Sequence, residues 1–339
     1  MIGAIIGDIV GSRFEWNNIK TKEFDFLTYR CEVTDDSIMS LAIAKALLDS
    51  GGRYDDLGEL AVKSMQEIGR PYPNCGYGGM FRRWIYSENP APYNSFGNGA
   101  AMRVSACGFA AKTADEAIML SRKVTEVSHD HPEGIKGAEA TAVCVFLART
   151  DKSILEIRDY VDKHYYPMNF TLDGIRAGYR FNETCQDTVP QAIRAFLESS
   201  GFEDAIRNAI SIGGDSDTLA AITGGIAEAY YGVPNEIRKH ALTFLDERLL
   251  KILTDFENVY PPAFEKNVSE KPVKINGRKR SINGRTREEI MQMSISVSDE
   301  DYDTSQTAHE ETTSQKLFSH LFESCNILRG PINQDEYKS

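Results

Sequence analysis

The sequence lacks the features that mark secreted or membrane-bound proteins. Its six cysteines are scattered over 339 residues without a CxxC pair, which argues against a zinc knuckle or a disulfide scaffold and fits reduced thiols in the cytoplasm. No stretch reaches the roughly 18 apolar residues that a membrane helix needs. The apolar start carries Asp8 early and no preceding basic residue, so it does not resemble a secretory signal. We therefore expect a cytoplasmic protein without a membrane partner.

Positive charge is also scarce. The chain has 38 Lys and Arg against 50 Asp and Glu, which gives a formal net charge of −12. Nucleic acid would repel such a chain as a whole, so a general nucleic-acid-binding role is disfavoured. Hydrophobic residues make up 41% of the chain and charged residues 26%, a composition that suits one large core or two smaller ones.

Strand-like alternation of polar and apolar residues is missing, whereas apolar residues recur at helical spacing through the first 262 residues. This pattern predicts an all-α domain over residues 1–262. The expected helices include residues 1–12, 34–51, a helix opened by the stretch 95–102 and running to 111, a piece over 173–183, and one long closing helix over 235–259.

The composition changes after Pro261. Residues 263–315 are first basic and then acidic and rich in Ser and Thr, so they are predicted to form a flexible, disordered linker. In residues 316–339 the stretch KLFSHLFESCNIL regains helical apolar spacing. It could be a small helix that docks on a protein partner. It could equally be a tail helix that packs on its own domain or on nothing.

Two helix starts far apart in the chain share an acidic pattern: TDDS at residues 34–37 and DSDT at residues 215–218, the second after two glycines. Such starts are usually caps, because Asp, Ser and Thr accept hydrogen bonds from the free N–H groups of the first turn. Together they could instead pool four carboxylates, which repel one another unless cations lie between them. Oxygen-only ligands suit Mg²⁺ or Mn²⁺ rather than zinc.

The first helix carries glycines at positions 3, 7 and 11, on one face, which predicts close packing against another helix. Glu15 follows in a loop, where it could be solvated or point into a cleft. The glycine-rich stretch SFGNGAAM at residues 95–102 could bind an anion such as a diphosphate through backbone N–H groups, or form a plain turn and cap.

His129 and His131 flank Asp130 at a break between two helices. A His-x-His pair could ligate zinc, but no third or fourth ligand is near in sequence. The junction is therefore predicted to line a pocket rather than to bind zinc.

Taken in order, five motifs resemble those of the ADP-ribosylglycohydrolase family, whose archetype reverses ADP-ribosylation of dinitrogenase reductase. They are GAIIGDIVGSRFE at residues 3–15, TDDS at 34–37, SFGNGAAMRVSACG at 95–108, SHDHPEG at 128–134 and GGDSDTLAAITGG at 213–225. Each motif is weak alone, but five in this order make the match specific. It covers most of the domain, from about residue 3 to residue 232, and leaves the tail outside.

The resemblance implies an orthogonal bundle of helices with two Mg²⁺ or Mn²⁺ ions in a cleft. By matching positions, the metal ligands would be Thr34, Asp35, Asp36, Asp215, Asp217 and Thr218. Glu15 and Asp36 would act in catalysis. Asp8 would support the ligands or line the cleft, where it is predicted to bind substrate. Substrate phosphates and riboses would contact Ser95, Phe96, Gly97, Asn98, Gly99, Met102 and His129. Ser37 stands where many members have a second Thr, a conservative departure.

The function implied by the resemblance is metal-dependent removal of ADP-ribose from a modified protein side chain. Cleavage at the ribose anomeric carbon would pass through an oxocarbenium-like state and release free ADP-ribose. Arginine is the expected acceptor because the archetype acts there, although other branches use serine-linked, DNA-linked or small-molecule substrates. Two alternatives stay open: a non-catalytic ADP-ribose reader, and an interaction or immunity protein that counters an ADP-ribosylating enzyme through its tail.

Overall fold

A computed structural model describes residues 1–261, so the predictions for the linker and the tail lie outside the described residues. Within residues 1–261 the chain forms helices and no strand, which confirms the all-α fold class. The helices are α1 (Ile2–Ser12), α2 (Asp35–Asp49), α3 (Leu57–Gly69), α4 (Gly79–Tyr86), α5 (Gly99–Met102), α6 (Ser105–Ala110), α7 (Ala114–Thr125), α8 (Pro132–Arg149), α9 (Ile154–His164), α10 (Leu172–Arg176), α11 (Cys185–Leu197), α12 (Phe202–Ile210), α13 (Ser216–Tyr231), α14 (Asn235–Leu242) and α15 (Glu247–Val259). Over this described part, no helix has the length and apolar character that a membrane crossing would require.

Helix α13 is almost entirely buried and packs against α1, α8, α11 and α12. Helix α1 runs antiparallel to it, and three glycines allow the two backbones to approach. A Cβ built on Gly3, Gly7 or Gly11 would lie 2.3, 1.9 or 2.5 Å from backbone atoms of α13. The close packing predicted from the glycine spacing is therefore present. It brings the end of α1 alongside the beginning of α13.

A buried ion pair holds the other end of the same contact. The ammonium of Met1 lies 2.8 Å from Oε1 of Glu228 on α13, and neither group is exposed. The backbone N–H of Gly3 donates to Oε2 of the same carboxylate at 2.6 Å. Both oxygens of Glu228 are thus satisfied, which is the condition under which a buried carboxylate is tolerated.

The prediction of one closing helix over residues 235–259 is wrong, because the chain leaves the helix after α14. Asp246 then begins α15, and its Oδ1 accepts a 2.9 Å hydrogen bond from the backbone N–H of Leu249. A carboxylate at this position satisfies a free N–H of the first turn. This capping bond fixes a new helix start inside a stretch whose apolar spacing is continuous.

Two other helices are shorter than predicted. The helix expected up to residue 111 is divided into α5 and α6, which are separated by Arg103 and Val104. The helix expected over residues 173–183 is limited to α10. Beyond it, the chain runs extended beside the glycine-rich loop, where the N–H of Asn98 donates to the carbonyl of Glu183 at 2.7 Å. These hydrogen bonds to a distant loop replace those of a helix.

Candidate metal centre and cleft

Asp8 is fully buried on α1 and holds the beginning of α2. Its carboxylate accepts hydrogen bonds from the backbone N–H groups of Thr34 at 3.0 Å and Ser37 at 3.1 Å, and from both of their hydroxyls. Burial raises the pKa of Asp8 to about 6, although these hydrogen bonds act in the opposite direction. Because α1 is packed tightly on α13, Asp8 fixes the acidic start of α2 beside the acidic start of α13.

Carboxylate oxygens gather in two overlapping groups at this junction. Oxygens of Asp8, Asp36 and Asp217 lie within 4.8 Å of one another, and we call this fully buried group the inner trio. Oxygens of Glu15, Asp215 and Asp217 form the outer trio within the same limit, with Glu15 half-buried. Asp217 belongs to both. The structure therefore brings the two acidic helix starts together, whereas Asp35 lies outside both trios.

One oxygen of the inner trio has no partner. Oδ2 of Asp36 accepts a 3.3 Å hydrogen bond from the Thr218 hydroxyl, but Oδ1 of Asp36 is buried without any hydrogen bond. A buried carboxylate oxygen without a partner is costly, and a cation would supply the missing interaction. The donors are all oxygen atoms, as hard divalent cations prefer. The residues present thus fit a metal centre.

The carboxylates oppose one another's ionisation. Burial first, and then the charges of neighbouring carboxylates, raises the pKa values of Asp35, Asp36 and Asp217 well above the usual range. Burial also raises the pKa of Asp215, although Nδ2 of Asn98 donates a 2.8 Å hydrogen bond to it. Burial together with the charges of Asp215, Asp8 and Glu183 raises the pKa of Glu15 to about 7. Cations would relieve this repulsion.

The metal-free protein should lose stability as pH rises. A carboxylate whose pKa is raised by folding stabilises the fold fully below its unfolded pKa, and this contribution is lost as pH rises through the folded pKa. For Asp8 the window runs from 3.8 to about 6, and for Glu15 from 4.5 to about 7. Divalent cations bind the deprotonated carboxylates. The difference in melting temperature between Mg²⁺ and EDTA samples should therefore grow between about pH 4 and pH 7. A constant difference would contradict this assignment.

The trios open into a cleft of about 520 Å³. Seven of the eight residues predicted to bind substrate line it: Ser95, Phe96, Gly97, Asn98, Gly99, Met102 and His129. So do six of the predicted catalytic and metal-binding residues: Glu15, Asp35, Asp36, Asp215, Asp217 and Thr218. Asp8 and Thr34 do not line the cleft, because they are buried and hydrogen-bonded to each other at 2.6 Å.

Sequence reasoning missed several residues of the cleft: Gly76, Gly78, Gly79, Met80, Phe81, Arg83, Tyr93, Asn94, Arg103, Glu183 and Thr184. The three glycines of the loop PNCGYGG were a sequence signal for this part of the cleft. In the structure Gly76 has a φ of +115°, and a Cβ there would lie 2.8 Å from Oδ1 of Asp35. Arg103 carried another as a lone charge in a small-residue stretch. Glu183 and Thr184 carried none, since the sequence placed Glu183 in a helix.

His129 lines the cleft as a neutral ring. It is buried between α7 and α8, and its Nδ1 lies 2.9 Å from Oγ of Ser128 and 3.4 Å from Nη2 of Arg103. Burial, and then the charge of Arg103, holds the pKa of His129 well below its usual range. His131 has a different role, since its Nδ1 accepts a 3.1 Å hydrogen bond from the N–H of Glu133 and caps α8. Neither carboxylate trio includes a histidine.

Two exposed aromatic rings belong to residues close in sequence to the cleft residues Glu15 and Glu183. Trp16 is 78% exposed, and its ring stacks on that of Phe181 with centroids 5.1 Å apart. The polar influence of the Trp16 side chain lowers the pKa of Glu15, against the effect of burial. Exposed rings of this kind are enriched where a protein contacts a partner.

A sequence model of the family described as ADP-ribosylglycohydrolase matches residues 1–262.

Similar curated proteins include ADP-ribosylhydrolase ARH3 of Homo sapiens, which is 26% identical over 309 residues, with 69% of this chain and 84% of that protein covered. ADP-ribosyl-dinitrogen reductase glycohydrolase of Rhodospirillum rubrum is 26% identical over 243 residues, with 64% and 75% covered. ADP-ribosylarginine hydrolase Tri1 of Pseudomonas putida is 26% identical over 297 residues, with 75% and 76% covered. A solved chain titled ADP-ribosylglycohydrolase-related protein complex superimposes with a TM-score of 0.55 at 20% identity, covering 76% of this chain and 95% of that one, and thus shares the fold.

Proposed function

The chain belongs to the ADP-ribosylglycohydrolase family, and from that premise we propose that it hydrolyses the bond between ADP-ribose and an arginine side chain of a modified protein. The family and the enzyme class predicted from the five motifs are confirmed. The acceptor is inferred from the archetype and from a relative whose name specifies ADP-ribosylarginine. The exposed, stacked rings of Trp16 and Phe181, close in sequence to the cleft residues Glu15 and Glu183, agree with a protein substrate.

The observation that carries the proposal is the pair of trios joined through Asp217 in one cleft. Their positions suit two Mg²⁺ or Mn²⁺ ions, and the ligands we propose are Thr34, Asp35, Asp36, Asp215, Asp217 and Thr218. When bound, the ions would supply the positive charge that balances the carboxylates and polarises the hydroxyls of the terminal ribose. The cleft volume of about 520 Å³ is in the range of sites that enclose a small organic ligand.

Glu15 is the residue we propose as general base. Its pKa of about 7 reflects burial and the charges of nearby carboxylates, so balancing those charges lowers the pKa and leaves Glu15 ionised at neutral pH. An ionised Glu15 can take a proton from the water that attacks the anomeric carbon. The bond from that carbon to the guanidinium nitrogen breaks. The acceptor leaves as a neutral guanidine and takes a proton from solvent, because the pKa of arginine is above 12.

The glycine-rich loop of the cleft suits the phosphates. The loop of residues 97–99 carries two glycines next to His129, and Asn98 links this loop to Asp215 through its side-chain amide. The N–H groups of Gly97 and Asn98 already donate to Oγ of Ser95 and to the carbonyl of Glu183. The N–H of Gly99 and a neutral imidazole can donate hydrogen bonds to phosphate oxygens without adding an acidic repulsion. We propose that this loop and His129 hold the diphosphate while the outer trio faces the terminal ribose.

Glu15→Gln should keep metal binding but lower turnover by about 10²–10⁴-fold, the usual contribution of a general base. The amide preserves the size of the side chain and removes its basicity. The matched control is Glu183→Gln, a neighbouring cleft carboxylate that raises the pKa of Glu15 only through its charge. It should change turnover far less. Equal turnover in Glu15→Gln and the native protein would show that Glu15 lines the cleft without acting as the general base.

The test of the function is release of free ADP-ribose from an arginine-ADP-ribosylated protein, with Mg²⁺ or Mn²⁺ compared with EDTA. Metal-dependent release supports the proposal and its acceptor. Release only from serine-linked or DNA-linked ADP-ribose would support the hydrolase activity but would show that arginine is not the acceptor. Tight metal-dependent binding of ADP-ribose without release from any linkage would overturn the proposal in favour of a reader.

A further inference from the structure

Arg103 is a buried cation at the cleft that the proposed reaction leaves without a role. It lies between α5 and α6 and is 1% exposed. Its side chain contacts Oγ of Ser128 at 2.7 Å, Nδ1 of His129 at 3.4 Å and the ring of Phe81, whose centroid is 5.4 Å away. No carboxylate among residues 1–261 forms an ion pair with it. Burying a cation without such a partner is costly, so its contacts require an explanation.

The chemistry of the three side chains fixes the direction of their hydrogen bonds. A guanidinium only donates, so the oxygen of Ser128 accepts from Arg103. The hydroxyl hydrogen of Ser128 is then available for Nδ1 of His129, 2.9 Å away. Arg103 also approaches the same nitrogen directly. Both contacts bring donors to Nδ1, which must therefore present its lone pair.

A neutral imidazole carries a single N–H hydrogen, and with Nδ1 as acceptor that hydrogen is on Nε2. Nε2 faces the glycine-rich loop: a Cβ built on Gly99 would lie 3.4 Å from it, and one on Gly97 would lie 3.7 Å away. No group among the described residues forms a hydrogen bond with Nε2. The rings of Tyr93 and Phe81 pack near the imidazole, with centroids 5.4 and 6.2 Å from it.

We propose that Arg103, together with Ser128, is a positioning residue that fixes His129 as the Nε2–H tautomer, with its single hydrogen directed into the cleft as a donor to an anionic oxygen. The nature of that oxygen, a phosphate oxygen of ADP-ribose, rests on the proposed function. The assignment of the His129 tautomer does not depend on the proposed function. Arg103 thereby acts on the ligand through His129 rather than by contact.

The tautomer can be measured without any ligand. In the full-length protein labelled with ¹⁵N-histidine, long-range ¹H–¹⁵N correlation spectra should show an unprotonated Nδ1 and a protonated Nε2 for His129, with the signals assigned by their loss in His129→Gln. Arg103→Met should raise the population of the Nδ1–H form, and Arg103→Lys, which keeps a donor and a charge, should restore the native signals. An Nδ1–H ring in the native protein, or unchanged signals in Arg103→Met, would overturn the proposal.

Should Arg103→Met fail to fold, Ser128→Ala provides the same test, since it removes the shorter contact to Nδ1 and leaves the buried cation in place. The matched control is Arg122→Met, which removes a half-exposed arginine paired with Glu139 outside the cleft. It should leave the His129 signals unchanged. An unchanged His129 spectrum in a folded Ser128→Ala protein would overturn the proposal.

Binding of ADP-ribose separates an indirect role from a direct one. Arg103→Met should weaken binding by about tenfold, the worth of one hydrogen bond to a charged group. In a His129→Ala background the same change should have no further effect. An equal loss in both backgrounds would mean that Arg103 contacts the ligand itself and would overturn the indirect role. If the native protein does not bind ADP-ribose, the proposed function fails, while the tautomer spectra still decide the role of Arg103.

Discussion

Asp217→Asn should lower turnover on the order of 10³-fold, since several kcal/mol of charge stabilisation in the transition state would be lost with the metal centre. Asp217 is the one residue common to the inner and outer trios, so its loss removes a carboxylate from both. The amide keeps the shape of the side chain. Burial, and then the charges of neighbouring carboxylates, raise the pKa of Asp217, so removing its charge should not destabilise the metal-free fold.

Two measurements test this expectation together. Titration with Mn²⁺ followed by calorimetry should show that Asp217→Asn has lost metal binding, while its circular dichroism stays helical. The matched control is Asp173→Asn, an exposed carboxylate whose side chain is 87% accessible, and this variant should bind metal and turn over like the native protein. Native turnover in Asp217→Asn would remove the central support for the proposed metal centre.

Gly7→Ala should destabilise the protein by roughly 3 kcal/mol, at the upper end of the usual cost of overpacking. A Cβ at this position would lie 1.9 Å from the carbonyl oxygen of Ala220, and a helix backbone cannot yield as a flexible side chain can. Moving α1 away from α13 would also withdraw Asp8 from Asp217. The variant should therefore lose metal affinity as well as stability, although it changes no ligand.

The matched control for Gly7→Ala is Gly58→Ala, which also replaces a helical glycine. A Cβ on Gly58 would lie 3.4 Å from Cγ1 of Val127, an ordinary van der Waals contact. Alanine costs less conformational entropy than glycine in a helix, so this variant should gain about 0.5–1 kcal/mol. Urea unfolding of both variants measures the two effects. Similar stability changes in both would contradict the role assigned to the α1–α13 contact.

Many residues of the proposed metal centre could be predicted from the sequence because their local patterns are unusual. TDDS and DSDT combine acidic and hydroxyl groups at helix starts, and the glycines at positions 3, 7 and 11 indicate that something packs close to α1. The sequence could not predict which carboxylate oxygens lie close together. Asp217 joins both trios while Asp35 joins neither, and this depends on the packing of α1, α2 and α13 rather than on any local signal.

The errors in the fold have two physical causes that compete with helical spacing, namely hydrogen bonds to distant groups and a local side-chain cap. Residues after α10 follow helical spacing, but Glu183 instead bonds to Asn98 from another part of the chain. Asp246 interrupts the last predicted helix because its side chain caps a new start. The role of Arg103 was hidden for a similar reason, since Ser128 and His129 lie 25 and 26 residues away.

The pairing of α1 with α13 also determines when the protein can become functional. The hydrogen bond between Gly3 and Glu228 joins residues 225 positions apart. Contacts of such long sequence separation form slowly, because closing the intervening chain costs entropy before the contact can stabilise it. During synthesis the apolar α1 leaves the ribosome first and must wait for α13 to emerge. Metal uptake is therefore expected among the last events of maturation, so it would report that the domain has finished folding.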